Sequence, residues 1–363
     1  MRNKNIAFLI SNIDNAGGTE RVSLLLGDYL CKSGYKVTFF SYYAKGNPFF
    51  GHDKRIRIIG FESHSWYMRL LCRLYPDKND RLRFLLKLLR IDVIIDVDMG
   101  QAMYSSVAIQ DTTCKQITWD HFNYIENSKS ESRSKGFELC KKFSSKLVVL
   151  TKADKDAYIR NEGIKPDFIT QIYNPLTIEV DNCFNHCKSR KVTAIGRLEH
   201  QKGFDILLNV WRSVEKNYPE WTLEIYGDGS EKNNLLRQIE KLQLCNVSIK
   251  GRTHDVKSVL RNSEIFVLTS RFEGFGLVLV EAEEMGLPIV AFNCPFGPSE
   301  IIEDGKNGFL IEPDDIESFV QRLALLMDDE TLRTGFGKAS LDVSKRFRKE
   351  NIFPKWIELI ESI

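Results

Sequence analysis

No stretch of about 20 consecutive apolar residues occurs in the 363-residue chain, so no membrane-spanning helix is expected. The first apolar run, Ile6 to Ile10, is too short for the hydrophobic region of a secretion signal. A cytoplasmic location is therefore expected. Eight cysteines are scattered along the chain, and none falls in a repeated CxxC. Without a secretion signal, a chain of this size does not call for a disulfide framework. Cys183, His186 and Cys187 lie close together but lack a second ligand pair at zinc spacing, so that segment reads as a polar linker. Helix-turn-helix, zinc-finger and aromatic RNA-binding signatures are missing, as are a G-x-G-x-x-G fingerprint, short repeats and low-complexity tracts. Nucleic acid and nicotinamide cofactors are not favoured. The net charge is small, +2 from 51 Lys+Arg and 49 Asp+Glu. It is unevenly spread: residues 1–180 carry 27 basic against 20 acidic residues, and residues 181–363 carry 24 against 29. A basic half and an acidic half point to different partners for each.

What is present suits a soluble protein with two cores, with 43% apolar and 28% charged residues. The first half alternates short β-rich runs with helical patterns. Residues 6–13, 35–43, 93–97, 116–119 and 147–151 read as strands, and residues 19–32 as a helix with Val22, Leu25, Leu26, Tyr29 and Leu30 on one face. The second half repeats the rhythm, with strands at 191–198, 221–229, 246–251, 264–270 and 287–293. Helices are expected at 204–217, 231–243, 254–262, 277–286 and 315–328. Strand, helix, strand in this order implies parallel sheets with right-handed crossovers. The aperiodic segment near 175–190 separates two α/β domains, 1–175 and 176–345. Residues 346–363 read as a helix that Pro354 should kink, letting it cross back to the first domain.

Three glycine-containing turns carry chemistry. Ala16-Gly17-Gly18-Thr19-Glu20 joins a strand to a helix, where glycines admit close backbone approach and the helix N-terminus favours a phosphate or a polar sugar. A tight turn with no ligand would read the same way. GRLEHQKGF (196–204) places Arg197 and Lys202 beside a second strand-to-helix turn, a natural diphosphate clamp. EGFGLVLVE (273–281) sets two glutamates, with seven residues between them, across another such turn. Gly274 and Gly276 permit the turn, and Glu281 lies one turn into the helix, able to accept from vicinal hydroxyls. Glu273 sits in the turn itself.

Together with YGDGSEKNNL (226–235), NVSIKGRTHDV (246–256), GPSEIIEDGKNGFLI (297–311) and ITWDHFN (117–123), these turns resemble the retaining GT-B glycosyltransferases of family four, of the bacterial cell-surface polysaccharide type. The resemblance implies two Rossmann-like domains facing each other across a cleft, with the acceptor bound by the first and a nucleotide sugar by the second. It implies that Arg197 and Lys202 neutralise the donor diphosphate, that Glu281 binds ribose, and that Glu273 lies near the donor sugar's hydroxyls. Phe275, Gly276 and Leu277 would contact sugar and phosphate through their backbone. The base would rest near Gly251–Arg252, beside Gly227 of the YGDG turn. Gly17 and Gly18 would approach the phosphate, and His121 would face the donor sugar. No cofactor and no metal are expected. Asp96-Val-Asp98 has the acid-x-acid form that holds divalent cations elsewhere, yet it closes a strand of the first half and reads as a strand-end turn.

Residues 64–90 carry seven Lys+Arg against two acids, interleaved with Trp66, Leu70, Leu71, Leu74, Leu82, Phe84, Leu85, Leu88 and Leu89. Such helices attach to anionic membrane surfaces or pack a basic face outward over their own core. On the first reading, the acceptor is a lipid-linked saccharide at the inner leaflet, as in lipopolysaccharide, capsule or O-antigen assembly. The expected donor is a UDP-hexose or UDP-N-acetylhexosamine. Alternatives from sequence are a GT-B epimerase, a phosphorylase, for which no pyridoxal-lysine environment is identifiable, and a non-catalytic sugar-nucleotide sensor.

Overall fold

The computed structural model describes residues 4–180 and 188–363; Cys183, His186 and Cys187 lie outside them. The chain divides into two compact units, Met1–Pro175 with Lys349–Ile363, and Leu176–Arg348.

The first unit holds β1 (Asn5–Ile10), β2 (Lys36–Ser41), β3 (Arg57–Gly60), β4 (Val93–Val97), β5 (Lys115–Trp119), β6 (Lys146–Val149) and β7 (Ile169–Gln171). They form one sheet in the order β3-β2-β1-β4-β5-β6-β7, with every pairing parallel. The second unit holds β8 (Lys191–Ile195), β9 (Thr222–Tyr226), β10 (Val247–Gly251), β11 (Ile265–Leu268), β12 (Ile289–Phe292) and β13 (Gly308–Ile311), also parallel, in the order β10-β9-β8-β11-β12-β13. Both sheets are Rossmann-like. In each, the strand order reverses around the first strand, so β1 and β8 stand at switch points, where the loops beyond the carboxyl ends part and leave room for a ligand.

The strands are continuous apolar runs because both faces of a parallel sheet are covered. All of β1, β11 and β12 is buried. The second unit packs Trp211, Phe292 and Phe319 between helices and sheet. The stretch read as strand to residue 13 stops at Ile10, because Ile13 N–H turns aside to donate to Ser41 Oγ at 3.0 Å. Three strands the pattern did not announce, β3, β7 and β13, are short edge strands, and unlike β11 and β12 none of them is buried along its whole length, so they lack the continuous apolar run of a covered strand.

The C-terminal helix Lys349–Glu361 belongs to the first unit. Phe353 packs on Tyr29 with ring centroids 5.0 Å apart, Trp356 packs on Trp119 at 4.7 Å, and Lys4 Nζ donates to the Ile360 carbonyl at 2.6 Å. The helix continues through Pro354. Proline can donate no hydrogen bond to the Glu350 carbonyl, and Pro354 and Glu350 are both exposed, so water can satisfy that carbonyl. Residues 346–348, read with the terminal segment from sequence, lie in the second unit. There Phe347 is buried against Phe275 at 5.6 Å.

Residues 64–90 form two helices, Trp66–Leu74 and Lys78–Leu88. Asp77 caps the second, accepting from Asn79 N–H at 2.8 Å and Asp80 N–H at 3.2 Å. That second helix turns Leu82, Leu85 and Leu86 into the core. The first buries only Met68 and leaves Trp66 78%, Leu70 49% and Leu74 60% exposed. Among the described residues, no helix is long and apolar enough to cross a membrane.

Candidate active site

The second unit gathers its chemistry at the carboxyl ends of β8 and β11. After β8 the chain runs through Gly196, Arg197 and a 3-10 turn, His200–Lys202, into the helix Phe204–Glu215. After β11 it runs through Thr269 to Gly276 into the helix Leu277–Glu284. The two loops are stitched together. Arg271 N–H donates to the Gln201 carbonyl at 2.8 Å, Gln201 Nε2 donates to the Phe272 carbonyl at 3.0 Å, and Thr269 Oγ1 donates to the Gly203 carbonyl at 2.9 Å.

Across that seam Lys202 Nζ meets Glu273 Oε1 at 2.6 Å, with the side chains 15% and 6% exposed. Ser270 Oγ donates to the same oxygen at 2.7 Å. The stem of Lys202 lies over Gly196, where an added Cβ would stand 3.2 Å from it. Arg197 leaves the same turn differently. It is exposed, and its Nη2 donates to Gln201 Oε1 at 3.2 Å. Cys294, also nearby, has its thiol pushed up to about 12, by burial first and by the Glu273 charge second, so it stays a neutral thiol.

Gly276 opens the helix Leu277–Glu284 at φ 94° with no side-chain cap. A side chain there is costly in the left-handed region, and the first turn is closed by the backbone, Leu279 N–H donating to the Gly276 carbonyl at 2.9 Å. Glu281, one turn in, is buried and accepts from Thr177 Oγ1. Phe275 is buried, and the Gly297 turn closes on its backbone so tightly that a Cβ on Gly297 would collide with it. Gly227, at the end of β9, is equally close to the Gly196 carbonyl, and its N–H donates to the Gly251 carbonyl at 2.8 Å. The loops after β8, β9 and β10 thus lie side by side. Arg252 is exposed beside them, 3.9 Å from Asp228.

The remaining residues singled out from sequence belong to the first unit. Gly17 caps the helix Gly18–Lys32, with the Glu20 carboxylate folded against it. His121 is half-buried, its ring 4.2 Å from Trp119, and its Nε2 is out of solvent with no hydrogen-bond partner. Burial pushes the imidazole down to about 3, so the ring is neutral. Asp96 and Asp98 each have internal partners. Asp96 accepts from Gln116 Nε2 at 2.6 Å and Thr118 Oγ1 at 3.1 Å, while Asp98 pairs with Arg133 at 3.2 Å. Among the described residues, no three His, Cys, Asp or Glu side chains gather as a metal site.

Sequence reasoning missed Ser270, Thr177 and Gly297. Ser270 lies three residues before Glu273 and had a local signal, but the partners of the other two are distant in sequence.

Residues 16–180 match the family model described as Glycosyltransferase Family 4, and residues 184–342 match Glycosyl transferases group 1. An uncharacterized glycosyltransferase of Haemophilus influenzae is 36% identical, over 97% of this chain and 99% of its own. The amylovoran biosynthesis glycosyltransferase AmsD of Erwinia amylovora is 30% identical, over 98% of this chain and 99% of its own. The pneumococcal O-GlcNAc transferase GtfA, solved in complex with UDP and GlcNAc, shares the fold: TM-score 0.81 at 16% identity, covering 100% of this chain and 99% of that one.

Proposed function

We propose a reaction for this chain from one premise: it belongs to the family 4 glycosyltransferases and has their GT-B fold. The chain moves a hexose or N-acetylhexosamine from a UDP-sugar to a lipid-linked saccharide or a lipopolysaccharide or capsule precursor, with retention at the anomeric carbon. The observation that carries this reading is the Lys202–Glu273 pair, 2.6 Å apart at the carboxyl edge of the second sheet. A cation for a diphosphate and a carboxylate for sugar hydroxyls stand together at a switch point. The amylovoran relative and the UDP and GlcNAc of the pneumococcal structure support the polysaccharide setting and the UDP-sugar donor.

In this reading Lys202 and Arg197 face the diphosphate, the N–H groups at Phe275, Gly276 and Leu277 face phosphate and sugar, and Glu281 accepts from the ribose. The base lies against Gly227 and Arg252. Gly17, Gly18 and His121 are the first unit's assignments, with His121 neutral and limited to hydrogen bonding. As the bond between anomeric carbon and phosphate oxygen breaks, the diphosphate gains negative charge and the sugar gains positive charge. Lys202, drawn from Glu273 to the diphosphate, stabilises that separated state more than the ground state. The acceptor hydroxyl attacks on the face the diphosphate leaves and gives its proton to the departing phosphate oxygen. No metal or other cofactor is assigned a part. Melting shifts with UDP, GDP and ADP, and release of UDP from UDP-hexoses, test the reading. Stabilisation by UDP with slow UDP release is expected; no response to any nucleotide overturns it.

The acceptor is proposed to be met at an anionic membrane surface. The helix Trp66–Leu74 exposes Trp66, Leu70 and Leu74 in one row, and Arg69 and Arg73 beside it are exposed too. Each cation near anionic lipid contributes about 1 kcal/mol, and an interfacial Trp suits the headgroup boundary. Co-sedimentation with phosphatidylcholine vesicles is expected only when phosphatidylglycerol is included, and to fall for the Leu70→Ser, Leu74→Ser variant. Equal binding to both vesicle types rules out the charge-driven contact.

A further inference from the structure

The helix Leu277–Glu284 is tied to both places where the chain passes between its two units. The first passage is at Pro175–Leu176 and the second at Arg348–Lys349. Glu281 accepts from Thr177 Oγ1, one residue beyond the first passage. Glu284, three residues along the same helix face, accepts from Arg348 Nη2 at 3.0 Å and from Ser344 Oγ at 2.7 Å, at the second. The Glu284 side chain is fully buried and Glu281 is 6% exposed. The passages are themselves joined, because Leu176 N–H donates to the Phe347 carbonyl at 2.7 Å. Two adjacent chain segments and one turn of helix therefore make a single hydrogen-bonded block, with the Glu281 carboxylate inside it.

We propose that Thr177 is a positioning residue for nucleotide binding. Its hydroxyl fixes the Glu281 carboxylate so that it meets the ribose diol, and it passes nucleotide occupancy to the chain passages. The proposal rests on the reading of Glu281 as the ribose contact. A buried carboxylate needs donors to stay charged and correctly turned, and the Thr177 hydroxyl donates to Glu281 Oε1. Holding one carboxylate oxygen sets the plane of the group and hence the direction of the other. Glu284 and Arg348 complete the link on the far side.

The test compares Thr177→Val, which keeps the shape and removes the hydroxyl, with Thr177→Ser, which keeps the hydroxyl. UDP affinity is read by calorimetry. The KM for UDP-sugar and the kcat are read from UDP release. Amide exchange with and without UDP is followed over segments 172–178 and 345–350. A hydrogen bond to a charged group corresponds to about ten- to hundredfold in an equilibrium constant. Thr177→Val is expected to weaken UDP and raise KM by about that factor with little change in kcat, and to lose UDP-dependent protection of both segments. Thr177→Ser is expected to restore both. Wild-type affinity and protection in Thr177→Val overturn the proposal, as does a loss that Thr177→Ser does not restore, which is the mark of a packing role. Wild-type protein that binds no UDP overturns the ribose reading itself.

Discussion

Replacing Lys202 separates what the Lys202–Glu273 pair does for the fold from what it is proposed to do for the reaction. Lys202→Met keeps the length and apolar stem of the side chain and removes its charge. Glu273, only 6% exposed, then loses a cation 2.6 Å away but keeps the Ser270 hydroxyl at 2.7 Å. Removing one partner of a buried ion pair costs about 3–5 kcal/mol. With Ser270 still donating and Lys202 15% exposed, about 2–3 kcal/mol is the better figure, or a melting temperature lower by about 5–10 °C. Adding Glu273→Gln removes the stranded charge, so Lys202→Met/Glu273→Gln is expected to melt close to wild type. Activity should not follow stability. Loss of one preorganised charge facing a developing anion costs about 100- to 1,000-fold in kcat, in the single and the double variant alike. Calorimetric melting and UDP-release assays on the three proteins decide the matter. A Lys202→Met protein that melts and turns over like wild type refutes the reasoning on both counts.

Glu273→Gln alone frees Lys202 from its resting partner, so UDP should bind more tightly while sugar transfer slows; weaker UDP binding would contradict the exchange of partners. His121 has its pKa depressed from 6.5 to about 3 by burial. Its stabilising contribution is therefore complete above about 6.5 and is lost as pH falls toward about 3. His121→Asn should flatten the acid side of the stability profile in urea melts, and an unchanged slope would show that the ring is not neutralised by burial. Asp96 runs the other way. Burial raises it from 3.8 to about 7 despite donors at Gln116 and Thr118, so its contribution is complete below 3.8 and is lost as pH rises through about 7. Asp96→Asn should gain on wild type above about pH 7 in the same melts. It should leave UDP release intact with or without a chelator, whereas chelator-sensitive turnover would reopen a metal role for the Asp96 and Asp98 pair.

The two parallel sheets were legible because their buried strands are continuous apolar runs, and the reading of 93–97 coincides with β4. The same rule fails for Ile169–Gln171 and Arg57–Gly60 at the sheet edges, where three or four residues carry no period and neighbouring strands decide. The glycine turns were legible for a different reason. A left-handed φ at Gly276, or a backbone contact as close as that of Gly227 with Gly196, leaves few residue choices. Lys202 and Glu273 were each visible as chemistry, but their meeting was not, because it depends on loops 71 residues apart in sequence being stitched together. Thr177 was invisible, being an ordinary linker residue until the fold brings it to Glu281, 104 positions away. Residues 64–90 show the limit from the other side. Composition could not say which leucines face inward, and packing assigns Leu82, Leu85 and Leu86 to the core while leaving Leu70 and Leu74 outside.

These observations bear on how a donor can be held. Most of the second unit's site is preassembled: backbone hydrogen bonds join the loops after β8, β9 and β10, side chains join those after β8 and β11, and Gly297 locks Phe275 from the far side. Little conformational entropy remains to be lost there when a ligand enters. On the proposed reading, what a donor has to change is one ion pair, Lys202–Glu273. A diphosphate arriving at Lys202 exchanges one anion for another around the same ammonium group, so the net charge attraction is smaller than two anionic phosphates would suggest. The carboxylate set free is the group proposed to stand beside the sugar as it becomes cationic. In the proposed reaction, the same 2.6 Å contact would moderate donor affinity and set negative charge beside the developing sugar cation, exchanging tight ground-state binding for a faster bond-breaking step.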